Sequence, residues 1–511
     1  MTFKSIIFSV LLLTLLAACG GAPATPIASL TTAPIGTPQD IAVTDAPAAQ
    51  VIPSPSPLPP TSESPRIERN QPFDIYEPVL LFPTRNGLAF VKLDGTGKTL
   101  LGAGSPSFDF NLGSAFAPRA GLLAINIGDN PFTPDTEGCC GLTLNLMDLP
   151  ANTMRVITPL FSPEMQQALQ ATISAGERNA AVEAGIAVVE NSDTLAWSPD
   201  GRYLAFIAAI DGPSSDVYSY DRDTGQINRL TDGLNQAARL FWSPDSQWII
   251  HEEVESFGTG AGWNVKAVWA AAPDGSGNRK LYDTEFSGDE VFVDWASPDT
   301  FLVYSWTPIG LQNVRLVKLD TGEAQRIGPE FPVQALAFDP ESQAQLTVVD
   351  DYTARERNLQ GGLYRASPAS SQPQRIAPGN WYDVRWLPQA QMFLAKGESG
   401  VISVALDGTT KELSGEGALP IDSPDGAWLI ATGDGNFTSP IGLRLYTTDG
   451  ELKRAITQEA VTYATWSPDS SGVFYASNGK LYYVAIPNGE PQSIEENLAS
   501  TTSGSLGWVM P

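Results

Sequence analysis

The sequence predicts an all-β fold, a β-propeller of about eight four-stranded blades, with nine as the literal count. One short motif returns along the 511 residues: it reads LAWSPDGRYLAF at 195–206, LFWSPDSQWII from Leu240 and ATWSPDSSGVF from Ala464. Its copies are roughly 36 to 53 residues apart, close to the ~40–45-residue period of four-stranded propeller blades. The 46 Gly and 41 Pro residues are typical of a turn-rich β protein.

Each repeat is predicted to contain four strands, which we label a to d in chain order. The aromatic residue of the motif ends strand a, and the Ser-Pro-Asp-Gly turn leads into an apolar strand b such as YLAFIAAI (203–210). A variable connection precedes strands c and d, which flank Asp-Gly or Asp-Thr-Gly turns, as in VRLVKLDTGEAQRI (314–327). These turn residues supply the positive φ angles that short hairpins require. The bulky position at the end of strand a, expected to pack between blades, holds Phe116, Trp197, Trp242, Trp295, Phe338, Trp386, Trp466 and Trp508, and in one repeat Asp422.

The two ends of the repeat region complement each other. Residues 78–103 resemble strands b to d without a strand a, whereas 505–511 resemble a strand a alone. We therefore expect the C-terminal strand to complete the N-terminal blade and close the ring, which removes an exposed sheet edge. Because propellers typically have 4–8 blades, the degenerate unit at 113–160 is discounted and about eight blades are expected.

The WSPDG openings, together with closings such as YDRDTGQINRLTDG (220–233), resemble the TolB-type, WD40-like propeller repeat. The resemblance covers roughly residues 75–511. It implies the propeller fold, but it says little about function because propellers carry many different activities. The small α/β domain that precedes the TolB propeller corresponds in position to a proline-rich segment here.

The N-terminus, MTFKSIIFSVLLLTLLAAC, has one basic residue, Lys4, followed by an apolar run too short to span a bilayer comfortably. The run ends in Leu16-Ala17-Ala18-Cys19, which resembles the lipobox of bacterial lipoproteins. The resemblance implies that residues 1–18 are a signal peptide and that Cys19 carries the lipid. The protein would then be anchored to a bacterial membrane, facing the periplasm or the cell exterior. The alternative is an ordinary signal peptide in which Cys19 is incidental.

Residues 19–72 are predicted to be a disordered linker, and residues 73–511 the propeller. From Gly20 to Pro72 the chain has 12 prolines among 53 residues and no apolar periodicity, so this segment cannot bury enough surface to fold. Within the propeller, residues 162–191 form an insertion. Its Ser162 start and the spacing of Met165, Leu169 and Ile173 predict a short helix.

Charge and cysteine usage exclude several classes of function. A formal charge of −27 argues against nucleic acid, whose phosphates require a basic surface. Cys139 and Cys140 are adjacent, and both a vicinal disulfide and two free thiols are compatible with an exported protein. With no other cysteine beyond Cys19 and a single histidine, we expect neither a metal site nor a cofactor.

The sequence contains no recognisable catalytic motif, and we expect a protein that is not an enzyme. The DGTGKT stretch at 94–99 lacks the spacing of a phosphate-binding loop and falls where each repeat has a hairpin. His251, the one imidazole, is interpreted as a half-buried strand residue. Glu252, Glu253, Asp350 and Asp351 have the chemistry for acid–base work, but solvated acids are the default in so acidic a chain.

The long connections fall between strands b and c or between one blade's strand d and the next blade's strand a, so they emerge on one side of the disc. These segments are 128–141, 162–191, 252–264, 350–362 and 433–440. Candidate binding residues are their aromatic side chains, which either contact a ligand or hold their own loops: Phe132, Phe257, Trp263, Tyr352 and Phe437.

These observations predict a membrane-anchored cell-envelope lipoprotein whose propeller is a non-catalytic binding or scaffolding module. Its partner would be a protein, a peptide or a glycan. The alternative is an extracellular hydrolase or lyase, acting on carbohydrate or peptide with carboxylates on the loop-rich side. Clustered acids with raised pKa values near the channel would favour that alternative.

Overall fold

The computed structural model describes residues 76–85, 87–100, 114–127, 142–167, 194–212, 214–233, 235–256, 263–284, 289–307, 310–328, 331–367, 373–414, 419–433, 442–499 and 506–511. These residues form nine sheets, each of four antiparallel strands, which are the blades of a β-propeller. The predicted fold class is therefore confirmed.

The strand bounds of the nine blades are as follows. Blade 1 comprises β1 (Val79–Thr84), β2 (Gly87–Lys92), β3 (Thr99–Leu100) and β36 (Gly507–Val509); blade 2, β4 (Ser114–Phe116), β5 (Leu122–Ile127), β6 (Thr143–Asp148) and β7 (Thr153–Pro159); blade 3, β8 (Leu195–Trp197), β9 (Tyr203–Ala208), β10 (Asp216–Asp221) and β11 (Ile227–Arg229). Blade 4 comprises β12 (Gln236–Trp242), β13 (Ile249–Ser256), β14 (Trp263–Ala271) and β15 (Asn278–Asp283); blade 5, β16 (Asp289–Ser297), β17 (Thr300–Thr307), β18 (Gly310–Lys318) and β19 (Ala324–Arg326); blade 6, β20 (Ala335–Phe338), β21 (Gln345–Val349), β22 (Gly362–Ala366) and β23 (Gln374–Pro378). Blade 7 comprises β24 (Trp381–Leu387), β25 (Met392–Gly397), β26 (Gly400–Ala405) and β27 (Thr410–Ser414); blade 8, β28 (Ile421–Asp422), β29 (Trp428–Gly433), β30 (Gly442–Thr447) and β31 (Leu452–Thr457); blade 9, β32 (Tyr463–Trp466), β33 (Gly472–Ser477), β34 (Lys480–Ala485) and β35 (Gln492–Glu495).

The blade count corrects the expectation of eight to the literal nine. The unit at 113–160, which was discounted, contains the four paired strands of blade 2. Its motif has degenerated to SAFAPRAG, but Leu123 and Ile125 of its strand b remain fully buried. The burial pattern rather than the turn sequence therefore preserves this blade.

The predicted ring closure is confirmed. The C-terminal strand β36 pairs antiparallel with β1, and Val79 lies opposite Val509. Val509 is fully buried, and the Trp508 Nε1 donates a hydrogen bond of 3.3 Å to Thr465 Oγ1 in blade 9. On the other side, the ring of Phe116 in blade 2 lies against Gly507, at a place where any Cβ would collide with it. Blade 1 is thus held by both of its neighbours.

The Ser-Pro-Asp turn has the same hydrogen bonds in four blades. The Ser198 hydroxyl donates to Asp200 Oδ1 at 2.6 Å and accepts the backbone N–H of Tyr203 at 2.9 Å. Because this serine is fully buried, both bonds are needed to offset the loss of water. The serine bonds recur at Ser243, Ser423 and Ser467.

The tryptophan that precedes this turn joins neighbouring blades. Its indole packs in the core while its N–H donates to a backbone carbonyl in strand a of the preceding blade, so a large apolar ring is buried without an unsatisfied donor. The N···O distances are 3.1 Å from Trp197 to Ala115, 2.8 Å from Trp242 to Ala196 and 3.3 Å from Trp466 to Ile421.

Asp422, the exception at this position, also reaches the preceding blade, but by a polar contact. Its Oδ2 accepts the backbone N–H of Gln389 at 3.0 Å, from the a–b turn of blade 7. In the opposite direction, Arg385 Nη1 donates to the carbonyls of Leu419 and Pro420 at 3.3 and 3.2 Å. Hydrogen bonds therefore replace the aromatic packing between blades 7 and 8.

Helix is rare in the described residues. Helix α1 (Asp351–Glu356) lies in the b–c connection of blade 6. Residues 163–167 are also helical, and the Ser162 hydroxyl accepts the N–H of Met165 at 3.1 Å. The remainder of the 162–191 insertion lies outside the described residues. Among the described residues, no helix has the length and hydrophobicity required to cross a bilayer.

Deleting residues 506–511 is expected to destabilise the protein by on the order of 3 kcal/mol, because it removes buried Val509 and its strand pairing. The deletion also leaves the edge of β1 unpaired, so the variant should self-associate. Thermal denaturation and light scattering measure the two effects. Pro511→Ala, at the exposed last residue of the deleted segment, is the control and should behave almost as the parent. A deletion variant that melts at the parent temperature would refute this function for the C-terminal strand.

Candidate functional site

The loop-rich side, on which the b–c and d–a connections emerge, carries the one candidate binding residue whose side chain the structure describes. Tyr352 lies in α1 and is 68% exposed. Trp263 is the first residue of β14. The other candidates lie outside the described residues, together with the predicted lipidation and disulfide positions: Cys19, Phe132, Cys139, Cys140, Phe257 and Phe437.

An open cavity of about 560 Å³ lies on this side, between blades 6 and 7. This volume is within the ~300–1,000 Å³ range of small-molecule sites. The cavity lies between α1, the end of blade 6 and the first b–c turn residue of blade 7. Its lining is formed by Asp351, Ala354, Arg355, Leu359, Gln360, Gly361, Arg375, Gly379, Asn380 and Glu398.

Local sequence explains why a helix forms at one wall of the cavity. Asp350 caps the helix, since its side chain accepts the backbone N–H of Thr353 at 2.6 Å. Ala354 is buried among apolar residues between blades 5 and 6, and Arg355 and Asp351 lie on the cavity side. The Nε of Arg355 donates to the Asp351 carbonyl at 3.0 Å, which directs the guanidinium along the helix.

Arg375 holds the loop that follows α1. Its Nε donates to the Gly361 carbonyl at 3.0 Å, a second nitrogen, Nη2, donates to the same carbonyl, and Nη1 donates to Gln360 Oε1 at 2.6 Å. At Gly361 a Cβ would meet Asp351 Oδ1, so a larger residue here would displace that carboxylate. Arg375 therefore stabilises the wall of the cavity, because its Nε, Nη1 and Nη2 all donate to groups of the protein.

The blade 7 wall is organised by Asn380 and Glu398. The Asn380 Nδ2 donates to Glu398 Oε1 at 3.2 Å, and the Glu398 backbone N–H donates to the Asn380 carbonyl at 3.1 Å. These contacts join the d–a connection before blade 7 to the b–c turn of that blade. The cavity thus presents carboxylates, an amide and a guanidinium to one bound molecule.

The carboxylates considered in the sequence are not brought together. Glu252 and Glu253, interpreted as part of a long connection, belong to strand β13. Glu252 pairs with Arg239 at 3.2 Å, whereas Glu253 accepts the Trp269 Nε1 at 2.8 Å and the Asn235 Nδ2 at 2.5 Å. Both acids have structural partners.

His251 is fully enclosed in blade 4, with 4% of its surface exposed. The sequence interpretation of a half-buried residue is corrected, because strand b lies inside the stack of blades. Burial lowers the pKa of His251 to about 4, since the charged imidazolium loses its hydration. The imidazole is uncharged at neutral pH, and His251 does not line the cavity.

Acids with raised pKa values do occur on innermost strands. Partial desolvation raises the pKa of Asp383, and the positive charges of Arg385 and Lys396 lower it by a smaller amount. Burial also raises the pKa of Asp422. Burial lowers the pKa of Lys396. Asp422 and Arg385 are engaged in the hydrogen bonds between blades 7 and 8 described above.

Sequence reasoning missed Trp306, Arg355 and Glu398. Trp306, 46% exposed, ends strand b of blade 5, at the loop-rich side. The sequence did contain a signal for Trp306, because an aromatic residue follows the apolar run of this strand near its end. Arg355 and Glu398 had no such signal, because only the packing of blade 6 on blade 7 makes them neighbours. In the described residues, no group of three or more metal-ligating side chains occurs.

Comparisons with known proteins support the fold alone. No family model matches the chain. It is 39% identical over 54 residues to the uncharacterized peptidase YuxL of Bacillus subtilis, covering 11% of this chain and 8% of that one. It is 27% identical over 154 residues to the uncharacterized protein Atu1656 of Agrobacterium fabrum, covering 28% and 48%. The chain therefore spans less than half the length of either relative.

Among solved structures, the chain is similar to a eukaryotic initiation factor. The TM-score is 0.53 at 12% identity, and the match covers 85% of this chain and 99% of the other. At this identity the similarity concerns the propeller architecture and carries no information about the cavity.

His251 is expected to make the protein less stable as the pH falls from ~6.5 to about 4. In this window the unfolded chain binds a proton that the folded state excludes, so the contribution is fully present above ~6.5 and is lost below it. His251→Leu should reduce the acid-induced loss by on the order of 2 kcal/mol. Urea unfolding at a series of pH values measures this. Parallel pH profiles for parent and variant would contradict it.

Proposed function

We propose that this protein is a membrane-anchored cell-envelope lipoprotein whose propeller is a non-catalytic binding module. The recognition site is the cavity between blades 6 and 7, on the loop-rich side, and its ligand is a protein, a peptide or a glycan. The single observation that carries the proposal is this cavity of about 560 Å³, which has a polar lining and a wall held in place by a capped helix.

The construction of the cavity supports binding. Arg375 and the Asn380–Glu398 pair fasten its walls to two different blades. A site whose walls are held by hydrogen bonds before the ligand arrives loses less conformational entropy on binding. Tyr352, exposed on the same helix, extends the surface beyond the cavity.

Support for the anchor comes from the sequence. The Leu-Ala-Ala-Cys ending of the apolar N-terminal run and the proline-rich segment after it are typical of tethered lipoproteins. The similarity of the WSPDG repeats to TolB-type propellers is compatible with a role in the envelope. A spacer of this composition would allow the propeller to reach partners away from the membrane surface.

The alternative, a hydrolase or lyase, draws on the raised pKa values of Asp383 and Asp422. Asp422, however, accepts a backbone N–H from blade 7, and Arg385 donates to two carbonyls of the segment that leads into blade 8. These polar groups bind neighbouring blades to each other. Asp422 is therefore occupied by the contact between blades 7 and 8, which leaves Asp383 without that acid as a partner for catalysis, and we favour binding.

Arg355→Ala should weaken ligand binding about tenfold or more, because it removes a guanidinium that lines the cavity. Arg357→Ala is the matched control: it lies two residues away on the same segment, but it does not line the cavity. Both variants are compared with the parent on arrays of oligosaccharides and peptides, using protein that begins after Cys19. Binding that survives Arg355→Ala, or that Arg357→Ala weakens equally, would exclude the cavity as the site.

Cys19→Ser should abolish lipidation and release the protein from membranes, because the thiol that would carry the lipid is gone. Incorporation of labelled fatty acid and fractionation of cells measure the result. Ala24→Ser, in the linker, is the control and should remain labelled. Labelling that persists in Cys19→Ser would rule out this anchor.

A further inference from the structure

From the chemistry of its lining, we infer that the cavity between blades 6 and 7 binds an uncharged oligosaccharide, with the exposed ring of Tyr352 on its helical wall. This inference rests on the proposed function and adds the class of ligand. It is carried by three features: the balance of charge in the cavity, the state of its hydrogen-bonding groups, and the exposed aromatic ring on the helix that forms its wall.

The charges that line the cavity are balanced. Asp351 and Glu398 contribute carboxylates, and Arg355 and Arg375 contribute guanidinium groups. An anionic ligand would meet both carboxylates and a chain of net charge −27. A cationic ligand is attracted by the net charge of the chain but would meet the two guanidinium groups in the cavity itself. A ligand without net charge avoids both costs.

The hydrogen-bonding groups require a ligand that both donates and accepts. Arg375 is occupied by the carbonyl of Gly361 and the side chain of Gln360. Within the described residues, Arg355 uses only its Nε in a hydrogen bond, so its terminal N–H groups are available as donors in the cavity lining. Asp351 and Glu398 supply acceptors. A hydroxyl group donates one hydrogen bond and accepts two, so a polyhydroxylated ligand serves both kinds of group.

Apolar lining is too sparse for a hydrophobic side chain. Ala354 and Leu359 are the aliphatic residues among those that line the cavity. A peptide anchor or an aromatic ligand usually enters a pocket in which such side chains predominate. Displacing water from carboxylates with an apolar group would leave them without hydrogen bonds, which is costly.

Two exposed aromatic side chains lie on the loop-rich side, and one of them, Tyr352, is on the helix that forms the cavity wall. Tyr352 is 68% exposed on α1, and Trp306 is 46% exposed at the end of β17. Trp306 pairs across the sheet with Leu311, which packs in the same apolar cluster as Ala354 of α1. Trp306 thus belongs to blade 5, whereas the cavity lies between blades 6 and 7. A sugar ring has an apolar C–H face and polar edges, and exposed Trp and Tyr present a matching apolar surface with a polar group at the rim.

The test is calorimetric titration of the propeller with three sets of defined oligomers. Neutral cello-, manno- and xylo-oligosaccharides represent the inferred class, oligogalacturonate represents anions, and chitosan oligomers represent cations. We expect a neutral set to bind best, with an affinity that changes less than about twofold between low and high salt, because no net charge is neutralised. A better affinity for either charged set, or a steep loss with salt, would overturn the inference.

Variants connect this binding to the lining. Asp351→Asn should weaken binding of the neutral oligomer about tenfold, because an amide replaces an acceptor that carries a full charge. Gly361→Ala should act similarly, since the added methyl displaces the same carboxylate. Tyr352→Ala should also weaken binding, because it removes the exposed ring on the helical wall. Asp320→Asn, at an exposed turn on the opposite side, is the matched control and should bind as the parent does.

The outcomes distinguish this inference from the proposed function. Tight binding of a peptide that is lost in Arg355→Ala would leave the binding module intact and overturn the carbohydrate assignment. Neutral oligosaccharide binding that Asp351→Asn and Gly361→Ala leave unchanged would place the sugar elsewhere and overturn the site. Release of shortened sugars in the titration cell would overturn the non-catalytic reading while supporting the ligand class.

Discussion

The contact between the innermost strands of neighbouring blades is the constraint on which this structure depends. A blade cannot bury both of its faces alone, so each needs a neighbour on either side. Where the motif has tryptophan, as at Trp242, one side chain fills the space between blades and donates its N–H to a carbonyl of the preceding blade. The distance between blades is thus set by the size of an indole and by a hydrogen bond.

Some blade interfaces lack this tryptophan contact, and a different contact joins the blades there. Between blades 7 and 8, Asp422 and Arg385 make hydrogen bonds to backbone groups instead of packing a ring. At the closure, Gly507 accommodates Phe116, and Trp508 donates to the Thr465 hydroxyl. Each replacement still satisfies the buried polar groups, which is the condition for burying them at low cost. The closed ring then has a fixed circumference.

A fixed ring allows binding groups to be distributed over several blades. The cavity draws α1 and Arg375 from blade 6 and Glu398 from blade 7, so its width depends on how these blades pack. Short hydrogen-bonded turns on one side leave the longer connections on the other, where a helix such as α1 can form. Loops on a rigid scaffold are where binding residues commonly lie.

The sequence alone determined the propeller, its turn chemistry and its closure, because periodic motifs and hairpin residues report local geometry. Its literal count of nine repeats is confirmed, whereas discounting the degenerate unit to reach eight was wrong, because blade 2 keeps its burial pattern while losing its turn motif. The sequence also placed Tyr352 on a long connection, as a candidate binding residue. Only the tertiary structure decided the cavity. Asp351 and Glu398 are 47 positions apart in the numbering and become neighbours only when blade 6 packs on blade 7. No local sequence pattern encodes the packing of blade 6 on blade 7, whereas the residues of each turn specify the conformation of that turn.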